Sequence, residues 1–225
     1  MGKTFDHLDQ SHIRFIEKQK LFFVATAPAS LDGHVNLSPK GYDSFRVLGP
    51  NTVAYCDIGG TGVETVAHLR ENKRITIMFC AFEGPAKVLR LYGEGRVIQS
   101  GETGFPAAME MFPNLPRSRA VILIDVTRIA DSCGYAVPIY KYQSERDQLS
   151  RWIEFHPEHD WEKPTLGANA ASIDGLPALM HLDEHEAVEA PARKRSTLAG
   201  RIAHRLKPFA RSAARRWEAA RLAFG

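Results

Sequence analysis

Along the first two thirds of the chain, apolar residues fall into short runs with a period near two, separated by Gly, Pro and Asn clusters, a pattern that predicts strands joined by turns. LFFVATA (21–27) and HVNLS (34–38) flank the turn APASLDG and predict a hairpin, with Pro39 stopping the second strand. TVAYCDI (52–58), ITIMFCAF (75–82), VLRLYGEGRVI (88–98) and AVILIDVTRIA (120–130) bring the set to six. Helical spacing is confined to brief segments. Residues 9–20 place Ile13 and Ile16 three apart beside charged neighbours, with Asp9 or Ser11 as the cap, and predict a short helix over one barrel end. A second helix follows the Gly59-Gly60-Thr61-Gly62 turn, carried by Val63, Val66, His68 and Leu69. Residues 101–116, broken by Pro106, Pro113 and Pro116, read as short helix and loop, and Leu149, Trp152, Ile153 and His156 share one face of a helix over 147–156.

Six strands with short turns predict a mainly β fold, a small closed or nearly closed barrel with short covering helices. A doubly wound sheet would need a helical crossover of about a dozen residues between strands, and only one gap approaches that. Residues 157–179 read as an ordered loop, because their SIDGLPAL end is too apolar for a free linker. A short helix is expected over 180–190, ended by Pro191. Beyond it, Leu198, Ile202 and Leu206 at intervals of four predict a helical C-terminal tail, divided or kinked at Pro208. The chain thus divides into a barrel domain with its extension, 1–192, and a tail, 193–225.

Charge sharpens that division. The net +3 conceals ten Lys or Arg against the single acid Glu218 from Arg193 onward, while the preceding residues hold nineteen basic and twenty-five acidic side chains. A mildly acidic body carries a strongly basic tail. The tail could pack against that body, lie weakly on an anionic membrane surface or contact nucleic acid; the last lacks aromatic interleaving or a DNA-binding motif. Cys56, Cys80 and Cys133 are odd in number and belong to no CxxC pair, so reduced thiols in a reducing, cytoplasmic compartment are expected, with no metal site. No run of 18 apolar residues and no signal-peptide pattern is present.

Chemistry has few sequence handles. The strand, glycine turn and helix around Gly59–Thr65 could bring unpaired helix-start amides to a phosphate, although GGTG fits neither the P-loop nor the GxGxxG pattern and a plain tight turn is the alternative. Lys40, between Pro39 and Gly41, could neutralise phosphate oxygens at a strand end or simply be solvated. Arg90, in the apolar strand VLRLYG, could reach a ligand, an interfacial carboxylate or solvent. His34, His68, His156 and His159 have no sequence partner that would mark them as catalytic, and Ser132-Cys133-Gly134 is no nucleophile elbow.

NLSPKGYDSF (36–45), CDIGGTGVETVAHLRENKRITIMF (56–79), VLRLYGEGRV (88–97), SCGYAVPIY (132–140), ERDQL (145–149) and NAASIDGLPAL (169–179) together resemble the pyridoxamine 5′-phosphate oxidase-related proteins, in a bacterial branch with an SPKG motif. The resemblance implies a six-stranded split β-barrel and a homodimer with FMN between the two barrels. It implies a cofactor site built from Asn36, Ser38 and Lys40 on one segment, Thr61, Gly62, Glu64 and Thr65 on a second, and Arg90 on a later strand. Where the oxidases themselves carry a Ser-Arg-Lys cluster, this chain has Val63-Glu64-Thr65, so two phosphate cations are missing and Glu64 would repel a dianion unless it turns away. The region that grips pyridoxal phosphate has no match, which speaks against vitamin B6 oxidation. The implied function is a flavin-dependent oxidoreductase of unassigned substrate. The alternative is a non-catalytic module that binds or senses flavin, deazaflavin or haem. No catalytic side chain is identifiable.

Overall fold

The computed structural model describes residues 2–115, 117–156 and 167–180. Eight strands form one sheet: β1 (Thr4–Phe5), β2 (Phe22–Thr26), β3 (Asn36–Lys40), β4 (Phe45–Gly49), β5 (Thr52–Ile58), β6 (Arg74–Cys80), β7 (Val88–Gln99) and β8 (Ser118–Ser132). Four helices accompany them: α1 (Gln10–Lys18), α2 (Glu64–Asn72), α3 (Phe105–Met109) and α4 (Gln148–Phe155). The strand order is β3-β2-β6-β7-β8-β5-β4, antiparallel at every pairing, with β1 added beside β8.

This sheet curls without closing. β3 and β4 end the hydrogen-bonded path, and a β4 side chain reaches across the gap between them. Phe45 of β4 packs edge-on against Phe22 of β2 and Phe79 of β6, at ring separations of 5.1 and 5.0 Å. Around those rings Val24, Val53, Tyr55, Ile77, Leu91 and Ile122 fill the interior. The outer face of β5 and β8 is apolar too, because Ala54, Cys56, Val121 and Leu123 meet Ala108 of α3 and the following Phe112. Strands covered on both faces lose polar alternation, which explains why TVAYCDI and AVILID read as continuous apolar runs.

The expected six strands are all present, and the count of six is corrected to eight. β4 escaped detection because Arg46 interrupts a run of only five residues; its guanidinium leaves the sheet to bind Asp43 and the Met111 carbonyl. β1 is two residues long and carries no periodicity. Pro39 does not stop its strand: β3 runs through it to Lys40, with Pro39 opposite Phe23. β3 is an edge strand, so a residue without an N–H is tolerated there.

The helices follow local rules. Asp9 caps α1, its Oδ1 accepting from the Ser11 and His12 amides, while the Asp9 amide donates to His12 Nδ1. Leu8 and Ile16 then enter the barrel interior, so α1 covers one end as expected. α2 lies close to β7 because Gly95 has no side chain; a Cβ there would meet the Leu69 methyls at 2.8–2.9 Å. The segment 167–180 is held in place, with Ala178 and Leu179 buried against Val63, Val66 and Ala67. α4 forms where expected, but none of its residues is buried. The 180–190 helix beyond Met180 and the 193–225 tail lie outside the described residues. Among the described residues no helix is long and apolar enough to cross a membrane, and no cluster of His, Cys, Asp and Glu could hold a metal.

Candidate functional site

The end of β3 and the start of α2 face each other across a cleft of about 300 Å³. Strand alternation puts Asn36, Ser38 and Lys40 on the cleft side of β3, while Leu37 is largely exposed. Opposite them, β5 ends at Ile58 and the chain turns through Gly60, Thr61 and Gly62 into α2. Gly62 has φ +89°, a left-handed conformation that favours glycine. Val63, the N-cap of α2, makes no side-chain capping bond, so the first amides of the helix keep their donors for whatever occupies the cleft.

Seven of the eight anticipated site residues line this one cleft: Asn36, Ser38, Lys40, Thr61, Gly62, Glu64 and Thr65. Arg90 does not. It lies on β7 between Met78 of β6 and Ala130 of β8, with its guanidinium 3.3 Å from Ser132 Oγ.

Two residues that pattern reasoning passed over organise the site. Asp57 is 1% exposed, and its carboxylate sits between Lys40 Nζ (2.8 Å to Oδ1) and Arg119 Nε (2.7 Å to Oδ2). Burial alone would favour the neutral acid, but the Lys40 and Arg119 charges overcome it and hold the carboxyl below its ordinary range. Arg119 extends further, donating to the carbonyls of Gly60 (3.0 Å) and Gly62 (2.7 Å). The guanidinium therefore ties the glycine turn to β8 and β5. Lys40 keeps two more N–H donors and remains partly exposed on the cleft wall. A charge inside an otherwise apolar strand was the available signal for both: TVAYCDI and SRAVILI each hold one ion that must be paired to be buried.

A hydrogen-bonded row backs the same wall. Ser38 Oγ donates to Asn36 Oδ1 (2.9 Å), and Asn36 Nδ2 donates to Thr65 Oγ1 (2.9 Å) and Thr26 Oγ1 (3.2 Å). Thr26 Oγ1 in turn lies 2.9 Å from Nδ1 of the fully buried His68. Burial lowers the pKa of His68, against the opposing pull of Asp174, Glu64 and Glu71, so its ring is neutral. The strand and the helix are thus joined through side chains that also line the cleft.

Glu64 stays on the cleft wall, with its Oε1 accepting from the Ile173 amide at 3.4 Å. Its negative charge offsets one cation, so a phosphate here would rely on Lys40 and the α2 amides. That donor set still suits a phosphate monoester: the two remaining N–H donors of the Lys40 ammonium, two threonine hydroxyls and uncapped amides beside a turn with nothing within 4 Å of a Cβ at Gly60.

The residues that form this fold and cleft also carry the likeness to known proteins. Residues 8–133 match the family described as pyridoxamine 5′-phosphate oxidase. A pyridoxamine 5′-phosphate oxidase family protein, ustO of Aspergillus flavus, is 35% identical over 184 residues, spanning 72% of this chain and 72% of that protein. Among solved structures, HupZ of Group A Streptococcus is 26% identical with a TM-score of 0.44, covering 54% of this chain and 91% of that one. An FMN-binding protein of Syntrophomonas wolfei is 17% identical with a TM-score of 0.37, covering 51% of this chain and 77% of that one. On the extent of the family match and the identity to the Aspergillus relative, the chain belongs to the pyridoxamine 5′-phosphate oxidase family.

Proposed function

We propose that this protein is a flavin-binding module that holds FMN with its phosphate against Lys40, Thr61, Thr65 and the first amides of α2. The observation that carries the reading is the cleft itself, where two segments distant in sequence place a lysine and an uncapped helix start on facing walls. Family membership supports the choice of a flavin over other phosphorylated ligands. Lys40 and the α2 amides bind the anionic end, Arg119 and Asp57 keep the turn and the lysine in position, and a bound flavin would supply any redox chemistry.

The second reading is a flavin-dependent oxidoreductase, favoured by the family's oxidase name; its substrate has no signature among the cleft residues. Absorbance of freshly purified protein, followed by addition of FMN, tests the binding reading. Flavin bands that remain with the protein through gel filtration are expected, and a colourless protein that ignores added FMN overturns it. Reduction of the bound flavin by a nicotinamide donor, with transfer to an acceptor, would favour the enzyme over the module.

The module acts as a homodimer in this reading. Exposed Tyr135, Ile139 and Tyr140 beside the barrel supply apolar surface for a second copy. Light scattering at micromolar protein should return twice the chain mass.

A further inference from the structure

His34 precedes β3 at the outer end of the cleft, and its contacts are specific. Its ring Nδ1 lies 2.6 Å from Asp174 Oδ1, and its backbone amide donates to Asp174 Oδ2 at 2.8 Å. One carboxylate therefore grips both the ring and the main chain of the histidine. A carboxylate only accepts, so Nδ1 carries the hydrogen and Nε2 is the nitrogen left to take or give a proton. Asp174 is held below the ordinary carboxylate range, first by the ring contact and then by the backbone amide, so it is charged at neutral pH.

The ring opens onto a second cleft of about 430 Å³ that shares Asn36, Thr61, Gly62 and Glu64 with the first. Val35, Leu37 and Ile173 give this outer part apolar walls, whereas the inner part holds Lys40 and Arg119. A ligand with its anion at Lys40 thus extends a flat, less polar portion toward the imidazole. The charged and titratable groups around His34 are Asp174, Glu64 on the facing wall and Asp32 in the preceding turn, with His68 and Glu71 on α2. None of them forms a second proton-exchanging pair on the cleft: His68 is buried, and Glu71 accepts from the Ala29 amide.

From this we infer that His34, oriented by Asp174, is the proton-exchanging group for the ring system of a ligand bound in the cleft. The inference rests on the flavin-dependent oxidoreductase reading, for the identity of that ring and of its hydride donor, and a wild type that binds FMN but is not reduced by the nicotinamide overturns it. A reduced nicotinamide delivers two electrons and one hydrogen as hydride; a two-hydrogen reduction needs one further proton. The Nε2–H bond of the imidazolium breaks as an N–H bond forms on the ligand ring, and the neutral imidazole regains its proton from water. Solvent reaches it freely, since the His34 side chain is 71% exposed.

The test uses the full chain loaded with FMN, comparing wild type, His34→Gln and Asp174→Asn. Three readouts are taken: FMN affinity, the NMR signals of the His34 ring with and without FMN, and the pH profile of bound-FMN reduction by a reduced nicotinamide. The ring signals should move when FMN is added. His34→Gln should bind FMN within about threefold of wild type yet reduce it about a hundredfold more slowly with a flattened profile, and Asp174→Asn should fall between the two. Unmoved ring signals, or a His34→Gln profile superimposable on wild type, overturn the inference while leaving flavin binding intact. Failure of the wild type to bind FMN is a separate result and overturns both.

Discussion

Asp57 and Arg119 stand side by side on β5 and β8, with carboxylate Oδ2 2.7 Å from guanidinium Nε and both side chains almost closed to solvent. Because Lys40 takes the other carboxylate oxygen, a single buried anion fixes the lysine of the edge strand and the arginine that braces the glycine turn. The shape of the cleft therefore depends on a residue that lies beneath it.

Asp57→Asn should consequently be one of the most damaging single changes in the chain. It strips the counter-charge from Arg119, which has no solvent to turn to, and breaking such a buried pair costs about 3–5 kcal/mol. Urea denaturation should show the midpoint falling accordingly. A loss under 1 kcal/mol would mean that the three charges are not coupled as described.

Removing charge from the facing wall should have the opposite sign for ligand binding. Glu64→Gln keeps an acceptor for the Ile173 amide and deletes a negative charge from the proposed anion site. At an effective dielectric near that of a protein surface, affinity for FMN should rise several-fold, by about 1 kcal/mol, and the gain should shrink in high salt. Titration calorimetry at two ionic strengths checks both parts.

Acid should unfold the protein in two stages. His68 has its folded pKa depressed below 6.5 by burial, so the unfolded chain binds a proton that the folded one refuses, and stability falls as pH drops through and below 6.5. Asp57, also depressed, contributes stability that is present above 3.8 and lost only at lower pH. Thermal midpoints measured from pH 8 to 4 should decline first in the histidine window, and His68→Gln should remove that first decline.

The three thiols should separate by reactivity. Cys133 is exposed, whereas Cys56 is buried beside Ser118 and pushed by that burial to about 11, and Cys80 is also buried with its thiol raised by burial. A thiol reagent at pH 8 should label one site per native chain quickly, and the other two only after denaturant is added.

Much of this architecture is legible in the sequence. Alternation and turn residues located six of the eight strands, and the Asp9 cap and the glycine turn located α1 and α2. The two additional strands were hidden for physical reasons: two residues carry no period, and Arg46 in FRVLG breaks an apolar run by reaching out of the sheet. Pro39 misled because the rule that proline ends a strand relaxes at an edge. Resemblance to a family brought Lys40 and Thr65 together, yet it gave no hint of what sits beneath them. Asp57 and Arg119 were visible only as charges within apolar runs, and their pairing depends on a β5–β8 register that spans sixty residues of chain. His34 and Asp174, 140 positions apart, could be joined only by the fold.

The proposed seat of a flavin's phosphate is the cleft between Lys40 and the start of α2. Its most direct test is a parallel titration of the apo-protein with FMN and with riboflavin, which differ by that phosphate alone, repeated on Lys40→Met. Charge-assisted hydrogen bonds of about 1.5–3 kcal/mol predict that FMN binds at least tenfold more tightly than riboflavin and that the substitution closes most of the gap. Equal affinities for the two flavins, or binding of neither, would contradict it.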